Sequence, residues 1–193
     1  RRHHPLYRRA GLIPILAEEL PTVQNGGISN EGMTYTFKIR QGVTFHDGST
    51  MDADDVVFSI NRLITMDLAA GPSWMYTELL DKTDADGDGI ADSIVKIDQY
   101  TVQFNLNQSA PRFLAIMAYN GASILSQEWV SKQGCSVPIY GQECFGIQDE
   151  VMGTGPYMMN EDYGGKWVRE QYVLMQYYPD YWRGWSASER QAY

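Results

Sequence analysis

The sequence predicts an α+β fold in which antiparallel β-hairpins carry three or four packed helices. Three observations point there. In 34–40, Tyr35, Phe37 and Ile39 alternate with Thr36, Lys38 and Arg40, the period-2 pattern of a strand with one apolar face. In 56–64, Val56, Ile60, Leu63 and Ile64 form one stripe at helical spacing, with Val57 beside them. In 100–106, Val102, Phe104 and Leu106 again alternate with polar Thr101, Gln103 and Asn105.

Taken in order, residues 1–9 are basic and include adjacent His3 and His4, which read as a solvated terminus before a metal site. Residues 24–31, with Asn25, Gly26, Gly27 and Asn30, form a polar loop. After the first strand Gln41-Gly42 breaks the run, and Val43 and Phe45 resume it as far as the turn dipeptide Asp47-Gly48. Asp52 stands where an N-cap belongs, and Asp55 three residues on suits the first turn of the helix. A loop at 67–73 leads to Trp74, Met75 and Tyr76, a short helix or aromatic cluster. Residues 94–97 and 100–106 make a hairpin around Asp98-Gln99. Ser109 and Pro111 open a helix through Phe113, Leu114, Ile116 and Met117, which Asn120-Gly121-Ala122 breaks before a further helix in 123–132. Gly153-Thr154-Gly155-Pro156 sets a turn into a strand at Tyr157, Tyr163-Gly164-Gly165-Lys166 turns the chain, and 172–177 returns it.

At 193 residues the chain can build one good core, or one large and one partial domain, and 44% hydrophobic residues is ordinary for a folded globule. A net charge of −9 argues against nucleic acid or anionic lipid as the main partner. No apolar run approaches the length of a membrane span.

Residues 84–92 carry the densest chemistry. Asp84, Asp86, Asp88 and Asp92 follow the spacing D-x-D-x-D-G-x-x-D, with Gly89 at the bend. Carboxylates at every second position round a tight loop repel one another unless a hard cation with oxygen ligands sits among them. The expected ion is structural Ca2+, held by side chains of Asp84, Asp86 and Asp88, the backbone carbonyl of Ile90, and Asp92 directly or through water. The pattern matches a calcium loop of the thrombospondin type 3 or dockerin kind, and departs from an EF-hand because Val95 occupies the position of the last glutamate. A solvated acidic turn is the alternative. His46-Asp47 offers a base and its orienter. No serine or cysteine nucleophile stands in a recognisable elbow, so a hydrolase is the weaker reading and both residues are expected to close a turn. No catalytic residue is assigned.

The run TYTFKIRQGVTFHDGSTMDADDVVFSINRL, followed by SAPRFLAIMAYNGASILSQEWV, GTGPY and the closing Pro179-Asp180-Tyr181-Trp182, resembles the family 5 extracellular solute-binding proteins, the peptide- and oligopeptide-binding receptors of ABC importers. About thirty residues of the first run follow the pattern without a gap. Tyr178 replaces the asparagine that often precedes the closing proline.

The resemblance implies a subdomain of a periplasmic-binding-protein-like (type II) fold: residues 1–33 as a connecting segment, 34–184 as the subdomain with its calcium-type loop at 84–92, and 185–193 as a tail. It implies a piece of a longer receptor, the small subdomain of the N-terminal lobe plus a little of the lobe itself. The function implied is non-enzymatic capture of a peptide or other small solute outside the membrane by a monomer, periplasmic or a cell-surface lipoprotein, for delivery to an ABC permease. In similar proteins an aromatic near 74–76 approaches the ligand cleft, which makes Trp74 and Tyr76 candidates for solute contact, with core packing as their other role. Export would oxidise the chain's two cysteines, Cys135 and Cys144, to a disulfide, with buried free thiols as the alternative. A calcium-dependent extracellular structural or adhesion module is the second functional reading.

Overall fold

The computed structural model describes residues 11–68, 71–141, 144, 147, 152–159 and 166–186. The basic start with His3 and His4, the 163–165 turn and the tail from 187 lie outside the described residues.

A four-stranded antiparallel sheet organises the core. Its strands are β1 (Ile28–Ser29), β2 (Thr34–Lys38), β3 (Ile94–Asp98) and β4 (Thr101–Asn105), in the order β1-β2-β4-β3. The two alternating segments of the sequence therefore lie side by side, with Tyr35 opposite Phe104 and Phe37 opposite Val102. Tyr35, Val102 and Phe104 are buried on one face, and the rings of Tyr35 and Phe104 pack on Phe113 with centroids 4.9 and 5.7 Å away. Phe113 belongs to α3 (Phe113–Met117). The hairpin turn sits one residue later than the sequence indicates, at Gln99-Tyr100, because the Asp98 carboxylate accepts the Tyr100 N–H at 2.8 Å and a register shift follows Lys96.

The apolar stripe forms α1 (Ala53–Met66), which packs on the sheet. Asp52 caps it by accepting the Asp54 N–H at 2.9 Å, while the Asp55 side chain accepts the Asp52 N–H at 3.1 Å, a capping box. Ahead of the helix, the segment expected as a second strand is reduced to one bridge between Thr44 and Thr50 around the Asp47-Gly48 turn. Asp47 closes that turn as expected, accepting from the Ser49 N–H and hydroxyl at 2.9 and 2.6 Å.

Two further helices are short, α2 (Trp74–Thr77) and α4 (Gln127–Lys132). The latter begins later than the sequence suggests for two reasons. Ser126 caps it, accepting the Trp129 N–H at 3.2 Å, and the Leu125 N–H is taken at 2.9 Å by the Ser59 hydroxyl of α1. Towards the end of the chain the 172–177 return divides at Met175. β7 (Tyr172–Leu174) pairs with β6 (Lys166–Val168), and β8 (Gln176–Tyr177) pairs with β5 (Tyr157–Met158).

Candidate functional site

The acidic loop is a folded turn. Gly87 and Gly89 take positive φ of 77° and 87°, which frees the backbone N–H groups to point inward. Asp84 Oδ1 accepts from the N–H of Gly87 and Asp88 at 2.8 and 3.1 Å, and its Oδ2 accepts from Gly89 at 2.9 Å. Asp88 Oδ1 accepts the Ile90 N–H at 2.7 Å. These bonds offset part of the repulsion between carboxylates and bring one oxygen each of Asp84, Asp86 and Asp88 within 4.8 Å of one another, all three residues exposed. Asp92 is not part of that group. Its carboxylate turns to the Ala85 N–H, 3.2 Å from Oδ2. Three clustered carboxylate oxygens suit a hard divalent cation.

The loop is fixed to the core by a residue that the sequence reading missed. Asn61, buried on α1, donates through Nδ2 to the Gly89 carbonyl at 2.8 Å and accepts the Ala91 N–H through Oδ1 at 3.0 Å. Its signal was an amide directly following Ile60 on the packed side of α1.

The two candidate aromatics separate. Tyr76 is fully buried, its hydroxyl donates to the Ile116 carbonyl at 2.9 Å, and burial pushes that hydroxyl's pKa up to about 12. Trp74 is 64% exposed. It lines an open depression of about 620 Å³ together with Leu63, Pro72, Met75, Tyr119 and Asn120. Such a hollow offers an indole face and a phenol to an apolar or aromatic group.

Asp47 and His46 do different work. His46 reaches away from its own turn: its backbone N–H donates to the Gly153 carbonyl at 3.1 Å, and Nε2 lies 3.0 Å from the Gly155 carbonyl. A carbonyl can only accept, so Nε2 carries the proton. The ring also meets Tyr178 edge-on at 5.2 Å. The HDG turn is thereby tied to the GTGPY turn. Cys135 and Cys144 form a disulfide, with Cα atoms 5.8 Å apart. On the chain-entropy model so short a loop gains roughly 2–3 kcal/mol.

The hairpin–helix core and these joined turns are those of a solute-binding protein. The family model described as bacterial extracellular solute-binding proteins, family 5 Middle, matches residues 11–191, and the chain belongs to that family. Di/tripeptide-binding protein 2 of Pseudomonas aeruginosa (strain UCBPP-PA14) is 31% identical over 193 residues, covering 94% of this chain and 34% of the relative. The dipeptide-binding protein of Escherichia coli (strain K12) is 31% identical over 178 residues, covering 81% and 30%. Among solved structures, the oligopeptide-binding protein AppA of Bacillus subtilis, in complex with a nonapeptide, superposes with a TM-score of 0.61 at 25% identity, covering 88% of this chain and 28% of that one. An oligopeptide ABC transporter substrate-binding domain from Bacillus anthracis shares the fold with a TM-score of 0.65, at 23% identity and with 89% and 30% covered. The chain spans about a third of the length of the curated relatives it matches. Among the described residues no helix is long and apolar enough to cross a membrane.

Proposed function

We propose that this chain is part of a longer extracytoplasmic receptor that captures peptides and hands them to the permease of an ABC importer, acting as a monomer and without catalysis. The observation that carries the reading is the family match over 11–191 together with relatives named for di- and tripeptide binding. The commitment of His46 to Gly155 supports a non-catalytic role, because that imidazole holds two turns together. Trp74, at the rim of its depression, is the proposed solute contact on this chain. Tyr76 supports that surface from the core.

Calorimetry tests the reading. The longer protein, titrated with di-, tri- and longer peptides, should show saturable binding. This chain alone should show none of useful affinity, since one wall of a cleft leaves a ligand largely in water. A longer protein that ignores every peptide but binds another solute class overturns the peptide assignment.

The clustered oxygens of Asp84, Asp86 and Asp88 favour a second, compatible proposal. The 84–92 loop takes a structural Ca2+, with Ile90 and Asp92 completing the shell.

A further inference from the structure

We propose that Asn120, on the rim of the Trp74 depression, is a modification site: with Gly121 it deamidates through a cyclic imide and places a carboxylate in that rim, while the other Asn-Gly pair of the chain, Asn25-Gly26, is held inert by the fold.

The two pairs are chemically alike, because in each the glycine leaves its backbone nitrogen unhindered. They differ in what holds them. The Asn25 Oδ1 accepts the N–H groups of Thr22 and Gly27 at 2.8 and 3.0 Å, and its Nδ2 donates to the Leu20 carbonyl at 3.0 Å. The nitrogen that would attack is engaged as well, since the Gly26 N–H donates to the Val23 carbonyl at 3.3 Å. Ring closure at Asn25 has to break these bonds.

Asn120 is exposed and opens a single 3-10 turn, Asn120–Ala122. Among the described residues its carboxamide makes no hydrogen bond, and neither does the Gly121 N–H. The turn is closed by the Ala122 N–H on the Tyr119 carbonyl at 3.0 Å, and by the Ser123 N–H and hydroxyl on the Asn120 carbonyl at 3.2 and 2.7 Å. So short a turn opens locally at far lower cost than the core.

The reaction needs only water. Solvent hydroxide takes the Gly121 amide proton as that nitrogen bonds to Asn120 Cγ. Nδ2 takes a proton from water and leaves as ammonia, which restores the hydroxide. A second water opens the imide at either carbonyl, to aspartate or to isoaspartate. Isoaspartate moves one carbon from the side chain into the main chain. That displaces Gly121, where a Cβ would already meet Pro72 Cγ at 2.7 Å and Tyr76 Cε2 at 3.3 Å, so the rim is reshaped. Aspartate keeps the path of the chain and adds a negative charge to the hollow lined by Trp74 and Tyr119. The inference rests on this turn and not on what the depression binds.

The experiment incubates the folded chain and the guanidinium-unfolded chain side by side at mildly alkaline pH. Peptide mapping by mass spectrometry reads the mass gain at each pair, and chromatography separates aspartate from isoaspartate. Unfolded, the two pairs should convert at similar rates. Folded, Asn120 should convert several-fold faster than Asn25, and folding should slow Asn25 far more than Asn120. A folded chain in which Asn25 converts as fast as Asn120 overturns the proposal. So does a folded Asn120 that stays intact over the time in which the unfolded chain converts it. Asn120→Gln should remove the early product, because the longer side chain closes its ring slowly, and an early product that persists in this variant overturns the assignment to Asn120.

Discussion

His46 and Gly155 meet across 109 residues of chain, imidazole Nε2 to carbonyl oxygen at 3.0 Å. The contact joins the turn ahead of α1 to the turn ahead of β5. It makes the last part of the chain a neighbour of the first hairpin. Among the described residues the buried His46 Nδ1 has no hydrogen-bond partner, so the contact to Gly155 and the ring packing on Tyr178 are what the side chain contributes there.

Replacing His46 by alanine should therefore loosen one joint and leave the core intact. The lost hydrogen bond is worth about 1 kcal/mol and the aromatic pair about 0.5–1.5 kcal/mol. The Tyr178 amide, which donates to the Pro156 carbonyl at 2.8 Å, should exchange faster, while amides in the middle of α1 stay protected. His46→Gln should recover part of the loss, since its amide can still donate to Gly155. Global unfolding of His46→Ala, or unchanged exchange at Tyr178, would show that the joint is not where the contact places it.

Asp55 gives a pH-dependent prediction. Its carboxylate accepts from the N–H of Asp52, which caps α1, and of Gln127, which begins α4, at 3.1 and 2.9 Å. Burial raises its pKa. The two backbone bonds oppose the rise, and the nearby Asp52 and Asp54 charges add to it. A raised folded pKa means stability that is fully present below the unfolded value, about 3.9, and lost as pH climbs through the folded value. Asp55→Asn removes the titration and leaves one of two buried donors unpaired, a cost of about 1–3 kcal/mol. The unmutated chain should lead Asp55→Asn most in acid, and the lead should shrink as pH rises from about 4. Urea melts of both proteins between acid and neutral pH read the difference, in which the other carboxylates cancel. A lead that grows with pH would mean that the backbone bonds outweigh burial.

Much of this arrangement was legible in the sequence where one residue's neighbours along the chain decide its role. The alternation in 34–40 and 101–106, the Asp52 cap and the Asp47 turn are local patterns, and the structure contains each of them. The pairing of β2 with β4 was not legible, because period 2 says which face is apolar and not which strand lies alongside. Long-range polar ties were invisible for a related reason. Asn61 to Gly89, Ser59 to Leu125 and His46 to Gly155 leave no periodicity. They also explain the misplaced helix start at 123, since Ser59 holds Leu125 outside α4. The acidic loop was legible as a cluster because Asp84, Asp86, Asp88 and Asp92 fall within nine residues. The turn of Asp92 towards Ala85 was not, because it depends on the loop's own backbone geometry.

That loop carries the last prediction. Asp84, Asp86 and Asp88 present oxygens within 4.8 Å of one another, and Asn61 clamps Gly89 and Ala91 to α1. A calcium ion would draw on those oxygens, on the Ile90 carbonyl and on Asp92 to reach the six to eight ligands it favours, at about 2.3–2.6 Å. Asp92 would have to exchange its bond from Ala85 for the ion or for an ion-bound water. Calcium should raise the melting temperature by mass action, corresponding to roughly 2.7 kcal/mol at a hundredfold excess over its dissociation constant. Magnesium should do less, because it is smaller and holds its waters in a near-octahedral shell. Asp86→Ala with Asp88→Ala should abolish the gain without unfolding the chain, since both side chains are exposed. Asn61→Ala should weaken calcium binding while all the acidic groups remain, because the loop then has to be ordered at the moment of binding. Equal melting temperatures in calcium and in chelator for the unmutated chain would reduce the loop to a solvated acidic turn, whose carboxylates are steadied by the N–H groups of Ala85, Gly87, Asp88, Gly89 and Ile90.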